Sequence, residues 1–279
     1  MLRSMYSGVS GMKGFQTKLD VIGNNISNVN TIGYKKSRIN FQDLLSQNLS
    51  DSGVNPSQVG LGSTISSIDV LHTPGSLMTT GVNTDVSIMG DGFFLVQKPQ
   101  DNNQPGQNPE SYLTRSGNFV VDKDGQLLTT QGYNVMGINP DNTITGVTID
   151  PDTFDSFKIN RSGEVYGKQS ANGQEVLIAT LGIVTPENPA GLRKVGGSLY
   201  EMTINADEDG MIANTALNTD IRTAKQANTE IVSGQLEMSN VDLTEEFTEM
   251  IVAQRGFQAN SRIITTSDEI LQEVVNLKR

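Results

Sequence analysis

The chain has 279 residues, a formal net charge of −11 and no cysteine. A chain without cysteine has no disulfide, no thiolate metal site and no cysteine nucleophile. Its acidic balance lacks the electrostatic footprint of a nucleic-acid-binding protein, so we expect no nucleic acid partner. The sequence has no apolar run of about 18 residues, and its N-terminus lacks the pattern of a secretory signal peptide. We therefore expect no membrane span and no cleaved signal peptide.

The first thirty residues carry apolar side chains at steps of three or four. This spacing predicts a helix from about Leu2 to Asn28. An Asn- and Gly-rich stretch at residues 24 to 35 should end it, because both residue types tolerate a left-handed backbone. The seam of this helix consists of Leu2, Met5, Val9, Met12, Phe15, Leu19, Ile22, Ile26 and Val29.

The last forty residues repeat the same step over a narrow stripe, which is typical of a coiled-coil seam. Its apolar places are Leu243, Phe247, Met250, Phe257, Ile264, Leu271 and Val275. Gln254, Ser261 and Asp268 occupy the alternate places and recur every seven residues. We expect these three to face a wet surface, either the wall of a channel or a polar contact with a neighbouring subunit.

The two ends carry opposite charge. Residues 1 to 40 hold six basic residues and one acidic residue, whereas residues 241 to 279 hold seven acidic and four basic residues. This difference favours pairing between the terminal helices. The alternative is that both are ordinary core helices of one globular domain, which spacing alone allows.

The middle of the chain has the patterns of strands and turns, so the predicted fold class is α+β with an inserted antiparallel β domain of eight to ten strands. Asp124-Gly125 between two apolar runs predicts a hairpin. A short helix is expected over Phe41 to Gln47. Further predicted strands are Phe157 to Ile159, Glu164 to Tyr166, Glu175 to Val184 and Leu199 to Ile204, with turns at 161 to 163, 172 to 173 and 209 to 210.

These patterns predict three regions. Residues 1–35 with 238–279 form an axial helical domain, residues 36–75 with 222–237 form an extended connecting arm, and residues 76–221 form the β domain. The terminal helices can meet only if the β domain returns the chain to near its starting point.

No motif in the sequence indicates a catalytic, cofactor-binding or metal-binding site. The single histidine, His72, precedes Thr73-Pro74-Gly75 and is interpreted as a solvated turn residue. The glycine-rich stretch at 90 to 94 lacks the third glycine of a dinucleotide loop. The acidic runs at 122 to 125 and 207 to 210 lack the spaced ligands of an EF-hand. The cluster Glu245, Glu246 and Glu249 suits a helix start, where the macrodipole favours carboxylates. We therefore predict no catalytic residue, metal site or cofactor.

Four stretches resemble the axial proteins of bacterial flagella, the rod, hook and hook-associated proteins. The first two are SGVSGMKGFQTKLDVIGNNISNVNTIGYKKSRINF at 7–41 and TGVNTDVSIMGDGFFLVQ at 80–97. The others are LTRSGNFVVDKDGQLLTTQG at 113–132 and SGQLEMSNVDLTEEFTEMIVAQRGFQANSRIITTSDEILQEVVNLKR at 233–279. The first stretch departs from the family pattern at Ser27, where alanine is commoner, and at Ile32, where proline is often found.

Within the family, the ending VNLKR and the run QRGFQANSR are more similar to a hook protein of the short, Gram-positive type. The resemblance thus implies a subunit of the tubular hook, the universal joint that transmits torque to the filament. The alternative is a distal-rod subunit, part of the drive shaft of the basal body, whose usual length is close to that of this chain.

The resemblance also implies partners and a location. The subunit would form a helical homopolymer around an export channel. It would adjoin rod proteins, hook–filament junction proteins and the hook cap, and leave the cytoplasm through the flagellar type III export apparatus. Two other classes stay open from the residues alone, namely an enzyme or carbohydrate-binding β domain with helical ends, and a surface adhesin.

Overall fold

The computed structural model describes residues 2–50, 57–99, 110–141, 143–170, 173–206, 221–227 and 229–277. They form two compact units. The helical unit comprises Met1–Val29, Lys36–Leu71 and Val241–Arg279, and the β unit comprises Asn30–Lys35 and His72–Asn240. The fold class is α+β, as predicted.

The helical unit contains two long helices. Helix α1 covers Leu2–Ser27, within one residue of the prediction, and α2 covers Leu243–Leu277. The start of α2 is capped by Asp242, whose Oδ1 accepts a hydrogen bond from the Thr244 amide at 2.8 Å. No helix among the described residues is both long and apolar enough to cross a bilayer.

The expected short helix at Phe41 to Gln47 is wrong. Apart from residues 44–45, which connect them, these residues lie in strands β1, Ser37–Asp43, and β2, Ser46–Ser50. Strand β1 pairs with β4, Ser63–Val70, and β2 pairs with β3, Ser57–Gly60. The ladder places Phe41 opposite Ile65. A β-branched partner strand supplies cross-strand contacts that outweigh the weak helical preference of so short a segment.

The units divide the chain differently from the predicted regions. Residues 36–71 lie with the helices, because β1 and β4 pack against α1. Residues 222–237, assigned from the sequence to the same connecting arm, lie in the β unit. There the strand Glu230–Ser233 pairs with Val86–Met89, and the strand Gln235–Glu237 pairs with Leu77–Thr79.

The β unit holds more strands than the eight to ten predicted. They are β5 Leu77–Thr79, β6 Val86–Met89, β7 Phe93–Gln97, β8 Ser111–Thr114, β9 Phe119–Val121, β10 Leu127–Thr129, β11 Asn134–Ile138, β12 Ile144–Gly146, β13 Phe154–Ile159, β14 Glu164–Gln169, β15 Glu175–Leu181, β16 Ile183–Val184, β17 Arg193–Gly196, β18 Leu199–Glu201, β19 Ile221–Arg222, β20 Glu230–Ser233 and β21 Gln235–Glu237. Most of these strands join one large antiparallel sheet with the order β13-β14-β15-β11-β7-β8-β18-β17, onto which β9, β10, β12, β16 and β19 pair.

Strand β7 lies at the centre of this sheet. It pairs with β8 along one edge and with β11 and β16 along the other. Phe93, Phe94, Leu95 and Val96 are all buried, so both faces of the strand are covered. This accounts for its continuous apolar run, because a strand buried on both faces needs no polar alternation.

The hairpin predicted at Asp124-Gly125 is confirmed, since β9 pairs with β10 and Gly125 has a φ of +75°. The turn at 161 to 163 is also present, with Gly163 at +76°. The predicted strand from Glu175 to Val184 divides at Gly182, and the one from Leu199 ends at Glu201. Asn172, Asp209 and Gly210 lie outside the described residues.

A buried ion cluster ties together the segments by which the chain enters and leaves the β unit. Lys35 Nζ lies 2.6 Å from Glu237 Oε1 and 2.8 Å from the Thr73 carbonyl oxygen. Arg115 Nη1 lies 3.4 Å from Glu237 Oε2. All three charged side chains are almost completely buried. The Gly75 amide donates to Glu237 Oε1 at 2.9 Å, so both carboxylate oxygens have partners.

The interpretation of His72 as a solvated turn residue is wrong. Its ring is half-buried and packs edge-on against Phe93 and Tyr200, at centroid distances of 5.5 and 5.4 Å. No local pattern around His72 indicates this packing, because both aromatic partners are distant along the chain.

We expect Glu237→Gln to destabilise the full chain by about 3–5 kcal/mol, because Lys35 and Arg115 would stay buried without a counter-charge. Denaturant unfolding followed by circular dichroism measures this. The matched control is Glu230→Gln on the exposed side of β20, which should change stability by less than about 0.5 kcal/mol. Equal effects of the two substitutions would contradict a stabilising role for the cluster.

Candidate functional site

The terminal helices pack against each other in antiparallel order. Gly8, near the start of α1, lies against Ile264 in the second half of α2. Further along α1, Lys18 forms an ion pair with Glu249 near the start of α2. Partners on α2 thus run backwards as α1 runs forwards. The predicted pairing of the chain ends is therefore present, while a supercoiled geometry stays a prediction.

Small residues set how closely the helices approach. A Cβ added at Gly256 would lie 2.6 Å from the Phe15 ring, and one at Gly11 would lie 2.8 Å from Asn260 Nδ2. Ala253 is fully buried. Because these positions carry only glycine or alanine, the two backbones are separated by no more than a single side chain, such as the Phe15 ring or the Asn260 amide.

The face of α2 that contacts α1 is offset from the predicted frame. Met250, Ile264 and Leu271 are half-buried, as a seam requires. The buried or half-buried alternate places, however, are Ala253, Asn260 and Ser267, each one residue before the predicted polar places. From Met250 and from Ile264, the contact face continues three residues further along α2, to Ala253 and Ser267. The predicted frame continued four residues further instead.

The three polar residues predicted to face a wet surface are largely accessible to solvent in one copy of the chain. Gln254 and Asp268 are exposed, and Ser261 is half-buried. Asp268 Oδ2 accepts a hydrogen bond from Gln272 Nε2 at 3.1 Å, one turn along α2. Their assignment to a channel wall or a polar subunit contact stays a prediction.

A buried polar contact fixes the register of the helices. Asn25 Nδ2 donates to Glu246 Oε2 at 3.2 Å and to the Ser37 carbonyl at 2.9 Å, while Asn25 Oδ1 accepts from the Ser37 amide at 3.0 Å. Burial raises the pKa of Glu246, and the hydrogen bond from Asn25 opposes that shift. One asparagine thus joins α1, β1 and α2, which allows a single alignment of the three.

Exposed ion pairs flank this contact. Lys18 Nζ lies 3.0 Å from Glu249 Oε2, and Lys36 Nζ lies 2.8 Å from Glu245 Oε2. Each pair adds little stability because water screens it. The pairs do explain the acidic cluster at the start of α2, whose carboxylates bind the basic N-terminal part of the chain.

The residues predicted from the sequence to form an interface divide into two groups. Some are at least half-buried within one copy of the chain, and the others leave apolar surface in water. Ile22 is buried, and Met5, Met12, Phe15, Leu19, Ile26, Met250, Ile264 and Leu271 are half-buried. Val9, Leu243, Phe247, Phe257 and Val275 are exposed, and Leu2 lies at the start of α1.

Sequence reasoning missed a second apolar stripe on α2. Ile263, Ile270 and Leu277 recur every seven residues, and Val252 and Val274 lie on the same side of the helix. All five are exposed, from 42% for Ile263 to 86% for Leu277. Tyr6 on α1 and Ile251 on α2 are also exposed. The seven-residue spacing was the signal that could have revealed the stripe.

Among the described residues, no three histidine or acidic side chains are grouped so as to hold a metal ion. What α2 offers instead is exposed apolar side chains at helical spacing. Exposed apolar stripes of this extent are typical of subunits that bind other protein chains.

Comparison with known families matches three parts of the chain. Residues 5–35 match the "Flagella basal body rod protein" family, residues 87–167 the "Flagellar hook protein FlgE/F/G D1 domain" and residues 232–277 the "Flagellar basal body rod FlgEFG protein C-terminal". The first and last matches cover most of α1 and α2, and the middle match lies in the β unit.

Curated relatives match over their full length. The flagellar basal-body rod protein FlgG of Bacillus subtilis is 46% identical over 299 positions that cover 100% of both chains. FlgG of Borreliella burgdorferi is 34% identical over 290 positions with the same coverage. The flagellar hook protein FlgE of Treponema pallidum is 29% identical, again over both whole chains, in an alignment of 474 positions.

The chain therefore belongs to the flagellar rod and hook protein family. This is a family of structural components of the bacterial flagellum, not of enzymes. The resemblance found in the sequence is confirmed.

We expect Gly256→Ala to destabilise the helical unit by about 1–3 kcal/mol, because the added methyl group would displace the Phe15 ring. Gly23→Ala is the control, since a Cβ there meets nothing within 4 Å. It should instead stabilise α1 by about 0.5–1 kcal/mol through helix propensity. Thermal unfolding followed at 222 nm measures both changes. A Gly256→Ala protein as stable as Gly23→Ala would show that the helices do not approach closely.

Proposed function

We propose that this protein is a distal-rod subunit of the flagellar basal body, part of the shaft that carries motor torque outward. The observation that carries the proposal is the match to basal-body rod relatives along the whole chain at nearly equal length. The hook relative needs an alignment of 474 positions, far longer than the 279 residues of this chain.

This proposal reverses the preference drawn from the sequence. The ending VNLKR and the run QRGFQANSR favoured a hook subunit, but QRGFQANSR and the first three residues of VNLKR lie within one C-terminal family match that rod and hook proteins share. A short segment common to both classes discriminates poorly between them. Length and identity over the entire chain discriminate better and favour the rod.

The proposed polymer forms through the exposed apolar stripes of α1 and α2. Phe247 is 50% exposed and Ile263 is 42% exposed, on different sides of α2. Apolar surface in water costs about 25 cal/mol per Å², so covering these stripes with the helices of neighbouring copies would stabilise a helical homopolymer. Gln254, Ser261 and Asp268 would then line the channel or form a polar contact between subunits.

The remaining partners follow from this assignment. The subunit would adjoin other rod proteins on one side and hook subunits on the other. It would reach that place outside the cytoplasmic membrane through the flagellar type III export apparatus, without cleavage of a signal peptide. In this proposal the junction proteins and the hook cap act further out and do not bind the chain directly.

Deletion of the gene tests the proposal. Basal bodies purified from the deletion strain should end before the distal rod and carry no hook, because the hook is built on the rod. Complementation with the intact gene should restore both parts. Complete rods that lack only the hook would overturn the assignment in favour of a hook subunit.

We expect Phe247→Asp and Ile263→Asp to abolish polymer formation and leave the monomer folded. Both side chains are already partly in water in one copy, so the charge costs little there, but it would be desolvated without a partner in the polymer. Electron microscopy and sedimentation under polymerising conditions measure this.

The control for these substitutions is Thr266→Asp, which adds the same charge at an exposed polar position between the two stripes of α2. It should still assemble. Normal tubes from either Phe247→Asp or Ile263→Asp would remove the corresponding stripe from the interface.

A further inference from the structure

His72, the only histidine of the chain, packs against two aromatic side chains of the β unit. Its ring contacts Phe93 and Tyr200, which also contact each other at 5.7 Å in an edge-on arrangement. Neither ring nitrogen of His72 has a partner in hydrogen-bonding geometry among the described residues. The buried Tyr200 hydroxyl likewise has none. The imidazole is therefore held by packing.

The charges around His72 are mostly positive. The Arg115 guanidinium lies 5.2 Å from the centroid of the Phe93 ring that His72 contacts, and Lys35 Nζ donates to the carbonyl of Thr73, the next residue along the chain. Burial, and with it the charges of Lys35, Arg115 and Lys194, lowers the pKa of His72. Lys194 lies at the edge of the cluster, with its Nζ 3.9 Å from the centroid of the Tyr34 ring. Glu237 is the one carboxylate that the described residues place against Lys35 and Arg115. Only the backbone at Pro189 favours a charged imidazole.

These surroundings offer no counter-charge to a third positive group beside Lys35 and Arg115. Both oxygens of Glu237 are already occupied by Lys35, Arg115 and the Gly75 amide. A proton on His72 would add one more cation to a buried site whose counter-charge is fully used. Uncompensated buried charge costs several kcal/mol, so the cluster would have to open to water.

We propose that His72 is an acid-sensitive switch that releases the Asn30–Lys35 segment from the β unit when its imidazole becomes protonated. This segment is the part of the β unit that connects to α1 along the chain. It is held there by the Lys35 ion pair and by the Gly33 amide, which donates to the Glu237 carbonyl at 2.8 Å. Opening the cluster weakens both contacts together.

The direction of the pH effect follows from linkage. Burial, together with the neighbouring cations, lowers the pKa of His72 from 6.5 to about 4. The closed state therefore binds fewer protons than the open state, in which the ring is in water. The closed state has its full advantage above pH 6.5 and loses it as the pH falls from 6.5 towards 4.

One nuclear magnetic resonance titration of the full-length monomer tests the switch, because a single histidine gives a single imidazole signal. We expect this signal to titrate near pH 4. The hydrogen-exchange protection of the Gly33 and Gly75 amides, corrected for intrinsic rates, should fall roughly fortyfold between pH 6.5 and 4.5.

The matched variant is His72→Phe, which keeps a ring against Phe93 and Tyr200 but cannot be protonated. Its Gly33 and Gly75 amides should lose less than about twofold of their protection over the same range. Two results would overturn the proposal: an imidazole signal that titrates near 6.5 while both amides stay protected, or the same loss of protection in His72→Phe. If His72→Phe does not fold, the unaltered chain still tests the proposal, because Gly33 and Gly75 amides that keep their protection down to pH 4.5 would overturn it.

Discussion

The close antiparallel approach of the two terminal helices is the contact on which the helical unit depends. Gly11 and Gly256 allow it, since at either position a Cβ would meet a side chain of the partner helix at less than 3 Å. Because the contact face of α2 is made of small residues such as Ala253, the larger apolar side chains lie on its flanks. The pairing thus leaves exposed the stripes that a polymer can use.

Buried polar groups specify alignment in both units. In the helical unit, Asn25 joins Glu246 to the backbone of Ser37. In the β unit, Glu237 joins Lys35 to Arg115. Paired buried charges add little net stability compared with apolar packing, but a misaligned chain would leave them unpaired at a high cost. Both contacts therefore act chiefly against wrong registers, which suits a subunit that must repeat one conformation many times.

Local patterns predicted what local interactions determine. The three-and-four spacing from Leu2 located α1 to within one residue, and Asp124-Gly125 located a hairpin. Contacts between distant residues decided the rest. Phe41 lies in a strand because Ile65 is opposite it, and the inward face of α2 is offset because Gly8 and Gly11 meet Asn260 and Ile264.

Charged residues were harder still to place from the sequence. The opposite charges of the ends correctly indicated pairing, which Lys18 and Glu249 realise. Nothing local marks Lys35 as buried and Lys36 as accessible to water, since the two are adjacent and identical in type. Their difference arises only when Glu237 and Glu245, both more than two hundred residues away, come to meet them.

A structure of the assembled polymer at side-chain resolution tests the central claim most directly. The account predicts that Phe247, Ile263 and Ile270, all exposed in one copy, are covered in the polymer by terminal helices of neighbouring copies. Tubes in which these side chains stay in contact with water, with subunits joined through the β units alone, would contradict it.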